Sequence, residues 1–186
     1  MATSMLEALS RMQDRIEAWA AEGCRELPGG ARLLCPGGRD GAFRHLLLPP
    51  LDAAAIAGLE GSVGRHLPAD LVAVYRAAGG MCLDDGAFAL AGPGAELPPD
   101  VMPGVRPPDL ATLNRRIRHH VELGGVALAV GLLPDDDSLL VFADPDRDRR
   151  VQRIAMPSGE PVDHWPDLWG FLLSAHAPAA RRRAAG

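Results

Sequence analysis

Two runs of aspartate are the first residues in this chain whose types and spacing could do chemistry. Asp144-Pro145-Asp146-Arg147-Asp148 begins as a calcium loop does, with oxygen ligands at alternate positions. A calcium loop also requires glycine at its sixth position and a bidentate glutamate at its twelfth, and those positions hold Arg149 and Ala155. Asp135, Asp136 and Asp137 stand between two apolar stretches, where aspartate is a common turn former. The two runs read as solvated turns or, if they meet at neighbouring edges of a sheet, as one acidic patch for a basic partner. A nucleophilic cysteine needs a nearby histidine and an electropositive setting. His45 would approach Cys35 across a hairpin, but no further residue orients that pair. Cys82 lies in an apolar strand and reads as a small buried side chain. His119 and His120 are adjacent on a helix and so diverge, and neither HExxH nor a His/Cys cluster at zinc spacing occurs. No GxSxG places a serine on a strained turn, and Gly92-Pro93-Gly94 opens no helix as a dinucleotide loop must. These residues assign no catalytic, metal-binding or cofactor-binding role.

Composition narrows the classes further. The 186 residues suit one ordinary domain, and 47% hydrophobic with 23% charged residues places it among globular chains. All 19 basic residues are arginine, so a P-loop lysine, a Schiff-base lysine and a kinase β3 lysine are excluded. A net charge of -5 gives no long-range attraction to nucleic acid or anionic lipid. No run of 18 apolar residues occurs, and Glu7, Asp14 and Glu17 interrupt the first stretch, so neither a membrane span nor a secretory signal is expected. Three cysteines, none in CxxC, fit reduced thiols in a cytoplasm. Asparagine occurs once, at 114, and tyrosine once, at 75.

The elements that must carry these residues follow from periodicity. Ser4 and Glu7 form a capping box, and Leu6, Leu9, Met12, Ile16 and Trp19 give a helix one apolar face that stops at Gly23. Ala31–Cys35 and Phe43–Leu48 read as a hairpin around Pro36-Gly37-Gly38. Asp52 caps a helix with Ile56, Leu59 and Val63, Gly64 ends it, and Pro68 suits the first turn of the next, which Gly79-Gly80 stops. Met81–Leu83 and Ala87–Leu90 form a second hairpin, and residues 91–108, with six prolines, a long loop. A helix over 109–123 carries Arg115, Arg116, Arg118 and His119 on its polar face. Val126–Val130, Leu139–Ala143 and Val151–Met156 read as strands, and a helix from Pro166 buries Leu168, Phe171, Leu172 and Ala175, with Trp169 at the core edge. Trp165, one helical turn before Trp169, is the more exposed of the two. Helices first and strands later predict a single α+β domain, with a central mixed or mainly antiparallel sheet packed by several helices. It would span 1–177, leaving 178–186 as a disordered tail.

The stretch from Ile56 to Gly80, with Leu59-Glu60, Gly64, Leu67-Pro68 and Gly79-Gly80, resembles the opening segment of the SUKH superfamily, which includes fungal Smi/Knr regulators and many bacterial immunity proteins. ALAVG (127–131), the acidic turn, SLLVFADPDRDRRVQRI and the closing WPDLWGFLLSA are similar to its paired strands and last helix. The resemblance covers roughly 50–177, with 1–49 as an N-terminal helix and hairpin beside it; the family's common polar residue before the glycine is Ala78 here.

That resemblance implies binding and no catalysis: a cytoplasmic immunity protein that neutralises a cognate toxin, often a nuclease or other enzyme, or else a Smi/Knr-like scaffold that binds an endogenous partner. It implies no cofactor and no direct contact with nucleic acid or membrane. The expected contact is an acidic surface made by Asp135, Asp136, Asp137, Asp144, Asp146 and Asp148, with Trp165 as an apolar anchor.

Overall fold

The computed structural model describes residues 5–38, 42–95, 97–98, 106–120 and 127–175. The chain opens on helix α1 (Met5–Glu22), followed by strands β1 (Cys24–Glu26), β2 (Arg32–Pro36) and β3 (Phe43–Leu47). Helices α2 (Ala53–Val63) and α3 (Ala69–Ala77) precede β4 (Met81–Leu83) and β5 (Phe88–Leu90). Then come α4 (Leu110–His120), β6 (Leu128–Leu133), β7 (Ser138–Phe142), β8 (Val151–Ala155), β9 (Pro161–Trp165) and α5 (Leu168–Ala175). All nine strands form one sheet in sequence order, and every neighbouring pair is antiparallel. This is an α+β fold, and the mixed-sheet alternative falls away.

Side chains alternate across the first strands as the pleat requires. Leu34, Leu47, Met81, Leu83 and Leu90 join the buried residues of all five helices in the main core. Leu33, Leu46, Leu48, Cys82 and Ala89 face the other way, into a smaller cluster closed by Leu27, Ala31 and Leu97. Strand β7 is buried along its whole length, which explains why its sequence is apolar from Leu139 to Phe142.

The corner between α2 and α3 is built locally. Asp52 accepts the Ala55 N–H, Gly64 turns left-handed at φ 74°, and the amides of Gly64 and Arg65 both donate to the Glu60 carbonyl. The Glu60 carboxylate then accepts the Leu67 N–H at 2.9 Å, and this bond holds its carboxyl below the usual range. Pro68 stands just outside α3, as its cap. Gly92 passes so close to Gly79 that a Cβ on Gly92 would lie 1.9 Å from the Gly79 carbonyl oxygen, so any side chain there would force the two backbones apart.

Several expectations change. Strands alternate with helices along the chain instead of following them, and β1 and β9 had no forecast in the sequence. Both are edge strands whose residues are almost all exposed, so no apolar alternation marks them. Leu6 is 76% exposed instead of sitting on the buried face of α1, where Ala8, Met12 and Ile16 are buried. Ser4 of the capping box, part of the 91–108 loop, the end of the 109–123 helix and the tail at 178–186 lie outside the described residues.

The two side chains that occur only once hold helices to the centre of this sheet. Tyr75 of α3 donates to the Ala91 carbonyl at 2.7 Å. Asn114 of α4 accepts the Ala129 N–H at 2.9 Å and donates to the carbonyls of Ala129 and Leu110 at 2.8 and 2.9 Å, all in buried surroundings. Asn114→Ala strands both backbone groups of Ala129 away from water, and should cost about 2–4 kcal/mol in urea unfolding. Tyr75→Phe, which leaves one carbonyl short, should cost about 1–2 kcal/mol in the same measurement.

Candidate partner-binding surface

The six candidate aspartates fall at two opposite ends of the sheet. Asp135–Asp137 turn the chain from β6 into β7, whereas Asp144, Asp146 and Asp148 turn it from β7 into β8. Successive turns of an antiparallel meander alternate between ends, and the length of β7 separates these two by about 17 Å. They do not form one patch.

The turn between β7 and β8 is a clamp. Asp146 meets Arg65, just beyond α2, at 2.6 Å. Asp148 pairs with Arg150 and accepts its backbone N–H at 2.9 Å. The Asp144 carbonyl accepts the amides of Arg147 and Asp148. From the same loop Arg149 forks onto the Asp70 carboxylate of α3, and that bond raises the pKa of its guanidinium. The Asp70 side chain is only 1% exposed while that of Arg149 is 60% exposed, so a buried anion is held by a cation reaching in from the surface. Asp70, a residue the sequence reading passed over, thus ties α3 to the sheet.

The turn between β6 and β7 is different. Asp137 adopts a left-handed conformation at φ 46°, its N–H donates to the Pro134 carbonyl, and its own carbonyl accepts the Met156 N–H. The Ser138 hydroxyl donates to the Asp136 carbonyl at 2.9 Å. Arg153 of β8 donates to Asp136 at 2.8 Å and lies 3.9 Å from Asp163 of β9. The turn is fixed by its own backbone, and Asp135 and Asp137 project from it exposed, without an ion pair among the described residues. Glu160, from the neighbouring turn between β8 and β9, is exposed too. Arg153 therefore contacts two carboxylates, Asp136 and Asp163, while Asp135, Asp137 and Glu160 stand exposed on the two turns at this end of the sheet, and Val162 of the edge strand is exposed as well. Asp163 and Glu160 were invisible to sequence reasoning because β9 was.

Trp165 ends β9 half-buried, edge-to-face on Phe171 with ring centroids 4.9 Å apart. Trp169 is fully buried, and its indole N–H finds no acceptor among the described residues.

The cysteine and histidine groups do not converge. In the hairpin His45 stands opposite Leu34, its ring stacked on Trp19 at 4.1 Å. Its Nδ1 accepts the Asp84 N–H at 3.2 Å. Cys35 is buried with its thiol 3.6 Å from the Trp19 carbonyl; burial and then the neighbouring Glu22 push its pKa up to about 11. Burial pushes Cys82 up to about 12. Both shifts run opposite to what a thiolate nucleophile needs. Among the described residues no group of three or more His, Cys, Asp or Glu side chains could hold a metal ion, and no helix is long and apolar enough to cross a membrane.

No family model, curated protein or solved structure matches this chain.

Two measurements check this geometry. Arg149→Ala leaves the Asp70 carboxylate buried without its cation and should lower unfolding stability by about 3–5 kcal/mol, far more than an exposed arginine ordinarily contributes. At pH 8 the thiols of Cys35 and Cys82 stay protonated and covered, so a disulfide reagent should label only the exposed Cys24 rapidly, and all three cysteines after denaturation.

Proposed function

We propose that this chain is a non-enzymatic, cytoplasmic protein-binding domain, an immunity protein that binds and neutralises a cognate bacterial toxin. The observation that carries this reading is the acidic end of the sheet, where two turns present Asp135, Asp136, Asp137 and Glu160 and one arginine contacts Asp136 and Asp163. A turn held by its own backbone bonds loses little freedom on binding, and its carboxylates steer a basic partner toward the surface before contact. Val162 and the edge of β9 supply exposed apolar area and an unpaired strand edge for such a partner. The helical corner closed by Glu60 and Leu67, built from the residues on which the SUKH resemblance rests, agrees with the same reading.

On this reading the partner contacts are Asp135, Asp136 and Asp137, extended by Glu160 and Asp163. Asp144, Asp146 and Asp148 keep their turn in place, and Trp165 supports the edge strand from beneath. Inhibition is stoichiometric: the bound domain covers or distorts the toxin's active surface.

The test is to co-express the chain with the product of the gene beside its own. The chain should co-purify with that product in fixed stoichiometry and protect cells from it. Asp135→Arg combined with Asp137→Asn, the asparagine chosen because it tolerates a left-handed backbone, should slow association about tenfold or more at low salt. Absence of both complex and protection would overturn the proposal, and an unchanged association rate would move the contact away from this turn.

A further inference from the structure

Helices α1 and α3 enclose an open groove of about 750 Å3 on the helical side of the molecule. Its floor is low because α3 places Ala69, Ala73 and Ala77 four residues apart, on one stripe of the helix. Met5, Leu6 and Leu9 of α1 form its wall. Met5 and Leu6 are 40% and 76% exposed, and they are two of the three large apolar side chains left in solvent among the described residues. An 18-residue helix that buries Ala8, Met12 and Ile16 against the core gains nothing intramolecular from a leucine on its outer side.

The charges around the groove are as unsatisfied as the leucine. Arg76 lines it, exposed and without an ion pair among the described residues. Asp14 and Glu17 stand on the exposed side of α1, also without ion pairs among the described residues. One continuous surface therefore presents an apolar knob and a hollow, a cation and anions. A contact between identical surfaces related by a twofold axis requires this, since every feature must meet its complement on the same patch of the other copy.

We propose that this face is where two copies of the chain pair. Leu6 of each copy enters the alanine-floored groove of the other, and the α1 carboxylates, Glu17 foremost, meet the partner copy's guanidinium from Arg76. The rise per residue puts Leu6 and Glu17 about 16 Å apart along α1, against about 12 Å from Ala69 to Ala77 along the floor, so one helix laid along the groove places Leu6 within it and Glu17 toward its end. The acidic end of the sheet contributes no residue to this contact, so it stands whether or not the toxin-binding reading holds.

Sedimentation equilibrium of the full chain in reducing buffer, from micromolar to submillimolar, tests it. The expected mass is twice 19.7 kDa at the upper concentrations. Leu6→Asp should give the monomer, with an unchanged far-UV spectrum because the side chain is exposed. Val162→Asp, at the other exposed apolar position, should leave the dimer intact. Arg76→Glu should weaken association about tenfold, and adding Glu17→Arg should restore it. A wild-type chain that stays monomeric throughout overturns the proposal, as does a dimer that survives Leu6→Asp or a charge swap that fails to restore association.

Discussion

The amide and carbonyl of Ala129 lie beyond the point where β5 pairs with β6, and the side chain of Asn114 satisfies both. A nine-stranded meander interrupted by helices after β3 and β5 must somewhere leave strand backbone without a neighbouring strand. In a buried setting such groups need partners, and here a helix provides them. Tyr75 does the same for the Ala91 carbonyl, one residue past β5, while the Ala91 N–H donates to Val130. Both stitches converge on the seam between β5 and β6, so α3 and α4 are positioned by polar bonds as well as by packing. Packing alone tolerates sliding; buried hydrogen bonds with fixed geometry do not. Asparagine and tyrosine each occur once in the sequence, and each single copy sits where a side-chain hydrogen bond to a buried backbone group is required.

Electrostatics divide the molecule in a comparable way. The loop between β7 and β8 alternates aspartate with arginine, and its charges pair within the molecule: Arg149 on Asp70 and Asp146 on Arg65 reach the helices, and Asp148 pairs with Arg150 in the loop itself. The turn between β6 and β7 carries three successive aspartates and borrows one cation from β8. The first arrangement fixes helices to the sheet and nearly neutralises itself. The second leaves an anionic field at one end of the molecule, so the modest net charge of -5 understates the local asymmetry.

Much of this fold was legible in the sequence, for physical reasons that also show where legibility stops. The hairpins β2–β3 and β4–β5 and the corner between α2 and α3 announce themselves through apolar alternation, helical spacing and the residues Asp52, Gly64 and Pro68. Strands β1 and β9 bury almost nothing, so burial wrote no pattern into them, and the carboxylates of the second turn at the acidic end disappeared with β9. The separation of the two aspartate runs was within reach: turns that flank a single strand lie at opposite ends of it. What no local pattern reveals is long-range pairing. Nothing near Asp70 in sequence points to Arg149, and nothing near Asn114 points to Ala129.

The two proposed surfaces draw on different layers, one on the turns of β6 to β9 and the other on α1 and α3. In a dimer joined through the helices both acidic ends stay free, and neither contact competes with the other. Two identical sites on one rigid body bind a dimeric or surface-arrayed partner with an avidity that a single site lacks, provided the geometry allows both to engage. On both proposals one layer serves self-association and the far end of the sheet a partner, and the interior has to hold the two rigidly. Its polar groups serve that end: Asp70, Asn114 and Tyr75 are each spent on holding helix to sheet, and Glu60 on closing the corner between two helices.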